Sequence, residues 1–248
     1  GTILRYDTPS LSNTDDRDEL WYVLGVSYSR RMGNALSLGL SVDANLTHLV
    51  YLGATRSADN TWNRIFRVSP RAVWTPTRSV TSINRFEVLA NYTVYDFEYL
   101  ASATRSFAFR QFAWVDSSEV RLTRRLSAQW YHYLRFYERG DFRWDDFAER
   151  PVNAFEDRTV QGTFSYNLRE GLLFCVGIRY FSSLRFGYIG TERSLERFFK
   201  SVGPTTLIRW TAGPRTEFSV SGWFEHQTMT DQPDHRSANV TMSLFVRI

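Results

Sequence analysis

Leu36-Ser37-Leu38-Gly39-Leu40-Ser41-Val42-Asp43-Ala44-Asn45-Leu46-Thr47 decides the fold. Every second residue is aliphatic; the residues between are Ser, Gly, Asp, Asn and Thr. Side chains alternate between the two faces of a β-strand, so this strand has one wholly apolar face and one small, polar face. An alternation of about eleven residues is the length a tilted strand needs to cross a bilayer. Strands of soluble proteins are usually shorter.

The pattern extends outward from there. Upstream, Leu20, Tyr22, Leu24, Val26 and Tyr28 alternate with Trp21, Val23, Gly25, Ser27 and Ser29, and Gly33-Asn34 joins the two runs as a tight turn. Downstream, Phe66, Val68, Pro70, Ala72 and Trp74 share one parity, and Arg67, Ser69 and Arg71 the other. Pro70 has no N–H for a ladder, which predicts a bulge or local defect. Phe86, Val88, Ala90, Tyr92 and Val94 oppose Arg85, Glu87, Leu89, Asn91, Thr93 and Tyr95. In 106–120 the parity conflicts: Phe107, Phe109, Ala113 and Val115 against Phe112 and Trp114, as a bulge would produce. The alternation resumes in 126–139, 160–168, 174–181, 217–225 and 239–248, and more weakly in 197–210, which carries Pro204. A short helical turn is expected within 192–200.

Short turns at Gly33-Asn34, Pro76-Thr77-Arg78, Thr123-Arg124-Arg125, Arg169-Glu170-Gly171 and Gly213-Pro214-Arg215 recur roughly 45 residues apart. Longer polar connections at about 7–19, 51–63, 96–105, 138–158, 182–196 and 228–236 fall between them. All short turns therefore lie on one side and all long connections on the other. Eleven strands result, and Gly1–Tyr6 begins a twelfth. This is an all-β, antiparallel, up-and-down transmembrane β-barrel of about 12 strands, a single domain over 1–248. Six residues are too few to span, so the first strand is truncated at Gly1 or the chain is the C-terminal part of a longer one.

Composition fits this reading. Mean hydropathy is −0.35, and no run of 18 apolar residues marks a transmembrane helix. Aromatic residues make up 16% of the chain, enough to furnish girdles at both membrane interfaces. Lys200 is the only lysine among 30 basic residues. Guanidinium groups suit carboxylate ladders in a lumen or the phosphates of outer-leaflet lipid; a GC-rich genome would also favour arginine codons. The arginines are dispersed, which argues against nucleic acid as a partner despite a pI near 9.3. Cys175 is the one cysteine, so no internal disulfide forms.

The hairpin pattern and the last segment, Asn239-Val240-Thr241-Met242-Ser243-Leu244-Phe245-Val246-Arg247-Ile248, resemble the outer-membrane β-barrel superfamily of Gram-negative bacteria. The resemblance implies a bacterial outer-membrane location, periplasmic short turns and extracellular long loops. It also implies outer-membrane lipid, the outer-membrane assembly machinery and other envelope proteins as partners. Val240, Met242, Leu244, Val246 and Ile248 would form the assembly strand. The terminal Ile departs from the usual aromatic residue.

No catalytic signature stands out. His48, His132, His226 and His235 lack a motif, and no His/Cys cluster suggests a metal. Asp15-Asp16, Asp18-Glu19 and Asp145-Asp146 read as loop decoration. The expectation is a non-enzyme without cofactor or metal. Parity directs Asp43, Arg67, Arg71, Arg85, Glu87, Tyr131, Tyr133, Arg135, Arg179, Glu217, Glu225 and Arg247 into the lumen. Arginine exceeds carboxylate there, which suits a porin-like channel for small polar or anionic solutes. The alternative is a non-conducting barrel module of a larger envelope assembly, its interior filled by ion pairs and by Trp21, Tyr95, Tyr137, Phe181 and Trp223.

Overall fold

The computed structural model describes residues 1–8, 13–98, 105–190 and 192–246. Twelve strands form one antiparallel sheet in strict sequence order: β1 Thr2–Tyr6, β2 Arg17–Met32, β3 Leu36–Tyr51, β4 Thr61–Thr77, β5 Val80–Tyr95, β6 Phe107–Arg121, β7 Leu126–Arg143, β8 Ala148–Arg169, β9 Leu172–Ile189, β10 Glu192–Thr211, β11 Thr216–Met229 and β12 Gln232–Val246. A 3-10 helix, Ala54–Asp59, sits between β3 and β4. No described helix is long and apolar enough to cross a membrane.

The register joins the alternating faces into two continuous surfaces. Val26, Val42, Val68, Val88, Phe112 and Phe136 occupy successive rungs across β2–β7. Gly162, Ile178 and Pro204 continue that face across β8–β10, and Val220 and Met242 across β11 and β12. It is bare: Val26 is 74% exposed, Ile178 60% and Met242 70%. The opposite face carries buried polar groups, among them Asp157, Ser165, Ser201 and Glu225. Apolar surface outside and polar groups inside invert a soluble protein and match a barrel wall in lipid. Trp74, Trp130 and Trp210 stand exposed toward the short-turn end, and Tyr22, Phe66 and Phe224 toward the other, as interfacial girdles do.

Several expectations change. β6 has no bulge: its pairing with β5 and β7 is unbroken. Phe112 and Trp114 face out, while Phe107 and Phe109 face in, where Tyr137 and Arg139 cover them. An inner face rich in aromatics produced the conflicting parity. At Pro70 the β4–β5 ladder skips two rungs without changing register, so the defect is local and not a bulge; β10 and β11 do the same at Pro204. The 192–200 segment is strand, not helix.

The connections expected at 138–158, 182–196 and 228–236 are mostly strand. β7 and β8 run 18 and 22 residues and turn within 144–147. β11 and β12 turn at Thr230-Asp231, with Asp231 at φ 60°. These hairpins rise beyond the apolar band. The β7–β8 tip is anchored by Phe142, which is 1% exposed, with Trp144 and Phe147 packed on Tyr92 of β5.

The sheet ends at β1 and β12, and among the described residues β12 pairs only with β11. β1 covers β2 from Arg17 to Trp21, leaving the edge from Tyr22 to Met32 bare.

Candidate functional site: the charged inner wall

Ion pairs cross the inner face at several levels. On β4 and β5, Arg67 Nε lies 3.3 Å from Glu87 Oε2, and Gln111 of β6 donates to Glu87 Oε1 at 2.7 Å. On β7 and β8, Arg135 Nε donates to Asp157 Oδ2 at 3.1 Å, and Ser183 of β9 donates to Oδ1 at 2.7 Å. Both carboxylate oxygens of buried Asp157 are thereby satisfied.

The third pair spans a strand. Arg179 on β9 reaches past β10 to Glu225 on β11, with Nε 2.9 Å from Oε1. Gly203 occupies the intervening rung. A methyl there would overlap the carbonyl of Phe224, so only glycine fits. Arg209 and Glu217 stand 3.6 Å apart nearer the short-turn end.

Arg71 and Arg85 stand apart from these pairs. They are directly opposite in the β4–β5 register, both exposed on the inner face. Among the described residues neither has a carboxylate within the 4.0 Å ion-pair limit. Their neighbours in register on β2 and β3 are Ser29 and Gly39. Like charges placed opposite each other repel, and the small neighbours beside Arg71 leave the pair open to solvent and solute on that side, while Val115 flanks Arg85 on the other.

Aromatic rings line the wall above. Tyr137 and Phe155 stack at 4.6 Å, with Arg135 4.5 Å from the Tyr137 ring and Arg185 5.7 Å from Phe155. With Ser183, Arg197 and Phe199 they border a hollow of about 560 Å³ at the long-connection end. Tyr131 lines a second hollow, of about 470 Å³, with Ser117, Gln161 and Thr163. Cys175 lies on the same face, its Sγ 3.3 Å from Ser165 Oγ.

The inner face thus carries Asp43, Arg67, Arg71, Arg85, Glu87, Tyr131, Tyr133, Arg135, Arg179, Glu217 and Glu225. Arg67–Glu87, Arg135 and Arg179–Glu225 are drawn into networks; Asp43 is opposite Arg67 in register but makes no ion pair among the described residues. Val240, Met242, Leu244 and Val246 point outward along β12, whereas Arg247 and Ile248 lie outside the described residues. Sequence reasoning missed Asp157, Gln111, Ser183 and Phe155.

Two of the four histidines pair with carboxylates. His48 Nε2 is 2.8 Å from Asp96 Oδ2, with its ring stacked on Trp62 at 4.2 Å. His226 is 3.1 Å from Asp234. Neither histidine meets a hydroxyl or thiol partner among the described residues. Asp15 pairs with Arg56, and Asp16 accepts from Thr8 and Asn13, so these acids are occupied locally. No group of three or more potential metal ligands occurs among the described residues.

No family model matches the chain, and no curated protein matches its sequence. Solved structures do match. The chain is similar to BauA, the ferric preacinetobactin receptor from Acinetobacter baumannii, with a TM-score of 0.50 at 9% identity over 93% of this chain. It spans 45% of BauA's length. Looser likenesses are the P. putida toluene transporter TodX, at TM-score 0.29 and 8% identity over 94% of this chain and 82% of TodX, and the KdgM porin, at 0.26 and 13% over 95% and 94%. At such identities the likeness concerns the fold alone, that of an antiparallel up-and-down β-barrel.

Proposed function

We propose that this protein lies in the bacterial outer membrane and forms a porin-like channel for small polar and anionic solutes. The observation that carries this reading is the Arg71–Arg85 pair. On the inner wall Arg67, Arg135, Arg179 and Arg209 each meet a carboxylate. Here two adjacent exposed cations lie between Gly39 on one side and Val115 on the other, in a setting where the surrounding low dielectric strengthens their field. Such a site concentrates anions, and its exposure lets them leave, both of which conduction requires. The long-connection end would then be extracellular and the short turns periplasmic. The chemistry is selection by charge and bore, with no covalent step.

Planar-bilayer recording of the refolded protein under a salt gradient tests the proposal. Wild type should show anion-favouring openings, and Arg71→Ser/Arg85→Ser should move the reversal potential toward cation preference. Silence from a folded preparation would overturn the channel reading.

A second reading rests on the bare edges of β2 and β12: the sheet is a barrel module completed within a larger envelope assembly. It predicts a silent preparation that gains folded stability when further strands are supplied.

A further inference from the structure

The lipid-facing surface carries its own charged row, independent of the lumen and of any conduction. Leu134, Arg158, Ser182, Lys200 and Thr228 occupy successive rungs on β7, β8, β9, β10 and β11. Arg158 and Lys200 share the parity of Val160, Tyr180 and Val202, which form the adjacent rung toward the short turns. That parity is the apolar exterior, where Val202 is 40% exposed. The row therefore lies at the upper limit of the apolar band, on the long-connection side.

Arg158 and Lys200 are exposed and two strands apart, about 10 Å across the sheet. Ser182, between them, is buried at 7% exposure. Among the described residues neither cation has a carboxylate within 4.0 Å. The nearest acid on the same face of β8, Glu156, is held by Arg193, and Asp157 points to the lumen. Arg110 on this surface likewise has its own acid, Glu149. Lys200, the chain's only lysine, stands over the Phe198 ring at 5.5 Å.

Two uncompensated cations at the edge of a hydrocarbon-facing surface are costly unless an anion meets them there. The anion must sit at headgroup depth, while its apolar part lies on Val160, Tyr180 and Val202. Both requirements are met by one molecule, a phosphorylated lipid of the outer leaflet. We propose that Arg158 and Lys200, with the hydroxyls of Ser182 and Thr228 in the same row, form a site for the phosphate of such a lipid. Arginine supplies a forked donor and lysine a point charge, a combination suited to phosphate.

The test uses the whole chain refolded in neutral detergent and titrated with bisphosphorylated lipid A. Bound phosphate per protein after gel filtration and the shift in Tm are the readouts. Wild type should retain the lipid. Arg158→Gln and Lys200→Gln should each weaken binding about tenfold, and together about a hundredfold. Arg158→Lys/Lys200→Arg should bind within about threefold of wild type. Lipid A stripped of phosphate should not bind at the row, and excess inorganic phosphate should not displace the intact lipid. Undiminished binding by the double Gln variant, or equal binding of the stripped lipid, would overturn the site. Full displacement by inorganic phosphate would show a free-anion site and overturn the lipid assignment. If the double variant fails to fold, the single variants and the charge-preserving pair decide.

Discussion

β9 and β2 carry the same alternation but meet different surroundings. β9 is laddered on both sides, to β8 and β10, along nearly its whole length. Its inner face holds Arg179 and Ser183, each bonded to a carboxylate on another strand. From Tyr22 onward β2 is laddered to β3 alone, and both of its faces lie open: Val23 is 68% exposed and Leu24 67%. β12 mirrors it at the other end of the sheet. Backbone groups bared to hydrocarbon cost several kcal/mol each, so spanning strands must find partners on both edges. Alternation therefore qualifies a strand for the membrane, and neighbours on both sides make it stable there.

Proline scanning should show the largest contrast. Along Phe174–Tyr180 each proline should cost about 3 kcal/mol or more, since every N–H on β9 is committed to one neighbour or the other. Along Tyr22–Tyr28 only alternate positions should be costly, because the others direct their N–H to the bare edge. Urea unfolding of the refolded variants checks this. Uniform cost along β2 would reveal that its edge is filled in the folded protein.

Next is the buried carboxylate of the two-sided region. Asp157→Ala removes the partner of Arg135 and Ser183 and should cost about 2–4 kcal/mol, less than a fully buried pair because Arg135 is partly solvated. Glu19→Ala, whose Arg17 partner is 34% exposed on a strand next to the sheet edge, should cost under about 1 kcal/mol in the same assay.

Gly203→Ala should cost about 1–3 kcal/mol by forcing β10 from β11. In bilayer recordings it should also disturb selectivity, through the Arg179–Glu225 bond it lies beneath. Gly39→Ala, where an added methyl meets nothing closer than 3.7 Å, should be nearly silent in both.

The smallest effect concerns pH. Glu149, above the membrane band, has its carboxyl held above the usual range by burial, with Arg110 opposing. An acid whose folded pKa is raised keeps its proton longer in the folded state. Its contribution therefore becomes unfavourable as pH rises from the unfolded-state value through the folded one, and is relieved at lower pH. Glu149→Gln should flatten that part of the stability–pH curve by under about 1 kcal/mol, measured as Tm against pH.

Where one face is bare and apolar, alternation alone set Arg135, Arg179 and Glu225 on the opposite face. It failed at Asp157 because β8 continues above the apolar band, where its outer residues Glu156 and Arg158 no longer contrast with the inner ones. A wetted strand then reads as a loop. β6 failed for the opposite reason: Phe107 and Phe109 pack inward, so both faces are aromatic. The partnerships themselves needed register. Nothing in the order of residues announces that Arg179 meets Glu225 across Gly203, or that Arg71 faces Arg85.

Cys175 turns the inner wall into something that can be timed. The chain has one sulfhydryl, and it lies on the luminal face beside Ser165. If the proposed channel is a closed barrel, a thiol reagent would have to enter it to reach this residue. The ratio of its alkylation rates by anionic and cationic reagents of equal size would read the interior potential, and the size at which labelling stops would calibrate the aperture. The native molecule therefore carries its own clock and ruler.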